Sequence, residues 1–111
     1  MNNLSRIELL QQFAKDEPDN PFNLYALALE YQNSDLKKAV SYFDELLDKH
    51  PAYLPTYFHA AALNAEIEEI EKALSIYKSG IELAKTKNDQ HALKELKNAF
   101  QNFLFENDLD E

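Results

Sequence analysis

An all-α fold, an antiparallel helix-pair solenoid of about six helices, is predicted by three observations on this 111-residue chain. Leu24, Leu27, Ala28 and Tyr31 recur thirty-three residues later as Tyr57, Ala60, Ala61 and Asn64. Ala39, Phe43 and Leu46 recur thirty-four residues later as Ala73, Tyr77 and Gly80. Periods of this length, with helical spacing inside each block, mark repeats of two helices that bury their apolar faces by stacking on neighbours. The third observation is composition: one Gly and four Pro leave little material for hairpins or flexible linkers.

The first helix is predicted over Leu4 to Lys15, where Ile7, Leu10 and Ala14 share a stripe with Phe13 beside it. Leu10 to Phe43, Phe13 to Leu46 and Pro18 to Pro51 are each thirty-three residues apart, so residues 4–18 read as the back half of a repeat. The first whole repeat, 21–51, pairs Pro21 to Gln32 with Asp35 to Lys49. Asn20 is suited to cap the first of these helices, with Pro21 at its first position, and Asp35 to cap the second. The second repeat, 54–87, pairs Leu54 to Glu66 with Glu68 to about Lys85. Small residues at Ala28, Ala39, Ala61 and Ala73 fall where paired helices approach closely, and Phe43 and Tyr77 fill the space between pairs. One extra residue in the turn before the last helix of this repeat accounts for the two periods, since loops absorb insertions cheaply. A sixth helix over 90–105 places Ala92, Leu96, Ala99 and Phe103 on one face and Lys94, Glu95, Lys97, Gln101 and Asn102 on the other, as a capping helix requires. Residues 106–111 are an acidic tail expected to fray.

Length limits the chain to a single domain. Its net charge of -9 argues against nucleic acid and anionic membrane surfaces, both of which reward clustered Lys and Arg. With no Cys there is no disulfide, thiolate nucleophile or thiolate metal site, which fits a reducing compartment. Met1 to Pro18 carries Glu8, Asp16 and Glu17 without a basic leader or apolar run, so the expected location is cytoplasmic.

The residues resemble the tetratricopeptide repeat family. Leu24, Leu27, Ala28 and Tyr31 match its first-helix pattern of a large residue, Leu, a small residue and Tyr. Ala39, Phe43, Leu46 and Pro51 match the second helix, with Leu46 larger than the pattern prefers. In the second unit Tyr57, Ala60, Ala61, Ala73, Tyr77 and Gly80 match, whereas Asn64 stands for Tyr and Lys85 for Pro. The resemblance spans residues 4 to 105 and implies a protein-interaction module whose first helices line a concave groove that receives a peptide, a loop or a helix.

By helical spacing, the partner-binding groove positions are Phe22, Tyr25, Leu29, Phe58 and Ala62, with Gln32, Ala65 and Glu66 near the rim. This face is apolar. The family's carboxylate clamp places Lys and Asn where this chain has Tyr25 and Leu29. Lys94 and Asn98 have the clamp spacing in the last helix, but no basic residues in the neighbouring unit support them, and they read as solvated surface. Glu66, Glu68, Glu69 and Glu71 form an acidic cluster at the turn within the second pair, read either as a rim that attracts basic partners or as a solvated helix start, where the helix dipole accounts for Glu69 and Glu71 without a ligand.

No nucleophile with a base, metal set or phosphate loop is found, and His50, His59 and His91 are isolated. The chain is therefore expected to be no enzyme and to need no cofactor or metal. The leading expectation is an adaptor holding an apolar or amphipathic segment of another protein. The alternative is a homodimer or larger homo-oligomer assembling through an exposed helix edge that includes Leu9 and Phe13.

Overall fold

A computed structural model describes residues 3–110. Met1, Asn2 and Glu111, which the readings of the N-terminus and the acidic tail include, lie outside them. The described residues form six helices and no strand: α1 (Asn3–Asp16), α2 (Pro21–Gln32), α3 (Leu36–Lys49), α4 (Pro55–Glu66), α5 (Ile70–Thr86) and α6 (Gln90–Glu106). They fall into two compact units, Met1–Thr56 and Tyr57–Glu111, divided in the first turn of α4.

In the first unit α2 packs on both α1 and α3. Leu24, Leu27, Ala28 and Tyr31 of α2 and Ala39, Phe43 and Leu46 of α3 are buried. The caps follow the sequence: Asn20 Oδ1 accepts the Phe22 amide at 3.1 Å with Pro21 in the first turn, and Asp35 Oδ1 accepts the Lys38 amide at 3.2 Å. Tyr31 stacks on Tyr42, rings 5.7 Å apart and 8° from parallel, and the Lys38 ammonium lies 5.1 Å from the Tyr31 ring centre. These contacts join α2 and α3 along one edge. α1 contributes Leu10 to the core, but Phe13, in register with buried Leu46, is 42% exposed.

In the second unit Tyr57, Ala60, Ala61 and Asn64 of α4 and Ala73, Tyr77 and Gly80 of α5 are buried. Burial thus repeats at thirty-three residues in the front helices and thirty-four in the back helices, as the sequence periods predict. Tyr77 packs against Phe103 and Phe100 of α6, ring centres 5.3 and 5.7 Å away. Asp89 Oδ1 caps α6 by accepting the Ala92 amide at 3.0 Å.

The extra residue in the second turn has a structural identity. α2 ends with Asn33 in right-handed conformation, and the Asp35 amide bonds Tyr31 O at 2.7 Å. α4 ends instead through Glu68, whose φ is 65°, with the Glu69 amide bonded to Asn64 O and the Glu68 amide to Ala65 O. This six-to-one plus five-to-two pattern satisfies orphan carbonyls at a helix end and needs one left-handed residue. It also corrects the helix start predicted at Glu68: a left-handed residue cannot belong to a right-handed helix, so α5 begins at Ile70. The same closure recurs at Asn88 after α5 and Asp108 after α6. The tail predicted over 106–111 accordingly starts ordered, because Glu106 completes α6 and the Leu109 amide bonds Leu104 O at 2.9 Å.

Candidate functional site

α2 is apolar round most of its circumference, so residues left over after the core is filled must face outward. Three of them, Phe22, Tyr25 and Leu29, follow one another at helical spacing and line a single cleft of about 380 Å³ in the first unit. Phe22 is 54% exposed, while Tyr25 and Leu29 are half-buried. Tyr25 meets Tyr53 edge to face, ring centres 5.7 Å apart at 71°, which fixes its ring against the turn before α4. Burial, and after it the neighbouring Tyr53, raises the Tyr25 pKa, so the phenol stays neutral at physiological pH.

Apart from Ala26, the rest of the cleft is polar. Arg6 of α1 pairs with Glu30 of α2 at 2.6 Å, and both line the cleft with Asn33 and Ser34 at the helix end. Neither spacing nor motif in the sequence signals this pair. Arg6 and Glu30 are remote in sequence and meet only because α1 packs on α2. The arrangement is an apolar strip edged by one cation and one anion, suited to an amphipathic segment.

The other two predicted positions lie in the second unit. Phe58 is exposed on α4 and meets His59 edge to face at 5.5 Å. Burial lowers the His59 pKa, with Glu95 acting in the opposite sense. Ala62 lines a separate cleft, also of about 380 Å³, together with Ala65 and Glu66, which were expected near the rim. Tyr77, Ala99, Phe103, Glu106 and Asn107 complete that lining. Burial, and after it Glu106, raises the Tyr77 pKa. Gln32, the remaining rim position, is half-buried at the end of α2.

Lys94 and Asn98 are both exposed. His91 lies 3.7 Å from Glu95, and no cluster among the described residues could hold a metal ion. Among the described residues, no helix is long and apolar enough to cross a membrane.

No family model and no curated protein matches the chain. Solved structures do. The crystal structure of a tetratricopeptide repeat domain protein from Salinibacter ruber is 33% identical, with a TM-score of 0.72 over 76% of this chain and 96% of its own. A solution NMR structure of such a domain protein from Salinibacter ruber has the same identity and TM-score over 78% and 88%. A MamA double mutant, RS-1 ArsTM, is 21% identical with a TM-score of 0.68 over 95% of this chain and 60% of its own, a likeness of fold alone. The repeated burial pattern and the Salinibacter likeness agree: the chain belongs to the tetratricopeptide repeat family, a helical-repeat scaffold for protein interaction.

Proposed function

We propose that the chain is a non-enzymatic adaptor holding an apolar or amphipathic peptide or helix of a partner protein. The first-unit cleft carries this reading, because Phe22, Tyr25 and Leu29 lie together there beside the Arg6–Glu30 pair. Burying one such large side chain contributes roughly 1.5 to 3 kcal/mol before association costs are subtracted, so two or three of them support a specific complex. Phe58 and Ala62, both exposed on α4, support an equivalent contact on the second unit. The net charge of -9 favours uncharged or basic protein partners over nucleic acid and anionic membranes. The proposed compartment is the cytoplasm, where a cysteine-free chain forgoes nothing.

Replacing Tyr25 or Phe58 by Glu is expected to abolish capture of the partner while helicity, read by circular dichroism, persists. Capture that survives both substitutions contradicts the assignment.

A second reading, assembly with copies of itself, is favoured by Leu9 and Phe13 on α1, which are 43% and 42% exposed. Polar substitutions there are expected to release monomers if that edge makes the contact, and to leave assembly intact if it does not.

A further inference from the structure

The second-unit cleft differs in chemistry from the first. Ala62 and Ala65 of α4 and Ala99 of α6 form its small-residue walls, and Tyr77 and Phe103 are buried aromatic residues in its lining. Its charged residues are Glu66 and Glu106, and no Lys, Arg or His lines it among the described residues.

Both carboxylates stand at the wrong end of a helix. Glu66 is the last residue of α4 and Glu106 the last of α6, where the dipole and the free carbonyls favour a cation. α1, α3 and α5 obey that preference, carrying Lys15, Lys49 and Lys85 in their last turns. α2, α4 and α6 carry no basic residue there, but Glu30 in the last turn of α2 has Arg6 of α1 as its cation. Two helix C-termini and two carboxylates therefore converge on one cleft, each against its local stability preference. Such conflicts are expected where a site is bound to something else.

We propose that this cleft receives an arginine or lysine side chain from a partner polypeptide, its cationic head between Glu66 and Glu106 and its aliphatic stem along the alanine walls. The volume of about 380 Å³ is enough for one extended side chain. Carboxylates reward a guanidinium with charge-assisted, often bidentate, hydrogen bonds, and the apolar walls suit its methylene stem. The proposal deepens the adaptor reading by naming a partner chemistry, and it rests on that reading only in requiring a polypeptide partner.

The test is an NMR titration of the ¹⁵N-labelled full chain with N-acetylarginine methylamide, and in parallel with its uncharged citrulline counterpart. Saturable shifts are expected at Ala62, Ala65, Ala99 and Asn107, with the citrulline compound roughly tenfold weaker or more. The double variant Glu66→Gln/Glu106→Gln loses the response. It remains folded, because it removes charges the helix ends disfavour. Glu68→Gln/Glu69→Gln, with equal charge loss outside the cleft, keeps it. Tyr25→Glu, the probe of the first unit, leaves the titration unchanged, so the two readings fail separately. Equal shifts with both compounds, shifts scattered over the acidic surface, no saturable shift, or a response that survives the cleft variant would each overturn the proposal. So would equal loss in the control variant.

Discussion

A β-carbon added to Gly80 would stand 2.7 Å from Tyr57 Cβ and 3.1 Å from its Cγ, so α4 and α5 approach through the chain's single glycine. Alanine ordinarily stabilises a helix interior relative to glycine by about 1 kcal/mol, but overpacking costs about 1 to 3 kcal/mol. Gly80→Ala is expected to lower stability by up to about 2 kcal/mol in urea denaturation, since the opposing atom is the Tyr57 β-carbon and not the far end of a flexible side chain. A midpoint at or above that of the wild type would mean that the helices part there without cost.

Glu68 holds a φ of 65° without glycine's freedom. Left-handed backbone costs an L-residue roughly 1 to 2 kcal/mol, partly offset in a glycine variant by the greater entropy of its unfolded chain. Glu68→Gly is therefore expected to raise stability by about 0.5 to 1 kcal/mol with no change in denaturant slope. Loss of stability would show that the Glu68 side chain contributes more than its backbone strain costs.

Asn64 is fully buried where the family pattern has Tyr, and its Nδ2 donates to Ala60 O at 2.8 Å while Oδ1 has no hydrogen-bond partner. An unsatisfied buried acceptor costs about 1 to 3 kcal/mol, so Asn64→Ala trades a small cavity for relief of that cost. The expected change is within about 1 kcal/mol of zero, against a loss of about 2 to 5 kcal/mol for Leu63→Ala next to it. A loss at position 64 matching that at 63 would mean the oxygen is engaged.

The two periods were readable because helix contacts recur wherever the same sizes recur: Ala28 and Ala61, or Phe43 and Tyr77, occupy equivalent buried places. The insertion between them was readable only as a count. That it takes the form of left-handed Glu68 was not, since Glu has no preference for that conformation and the closure depends on backbone hydrogen bonds. At the first cleft, helical spacing along one helix placed Phe22, Tyr25 and Leu29 on a common face. The Arg6–Glu30 pair has no signature in the sequence because it depends on how α1 packs. The second cleft draws Tyr77, Phe103 and Glu106 from two further helices, so spacing along α4 reached only Ala62, Ala65 and Glu66.

His59 supplies a pH dependence whose sign can be worked out. Burial lowers its folded-state pKa, so on acidification the unfolded chain takes up a proton before the folded chain does. This contribution makes stability fall as pH drops through the ordinary histidine range, about 7.5 to 5.5. His59→Gln is expected to flatten that part of the profile in urea denaturation across this range. An unchanged slope would assign the dependence to other groups.

The apolar face of α2 is proposed to serve other proteins rather than copies of this chain. Molar mass by light scattering on an eluting size-exclusion peak, over a wide range of loading concentrations, tests it most directly. The expected mass is 12.9 kDa at every concentration, for wild type, Tyr25→Glu and Phe13→Glu alike. A mass that climbs to twice that value in the wild type and stays at 12.9 kDa in either variant would show self-association instead, and the variant that restores the monomer would locate the self-contact.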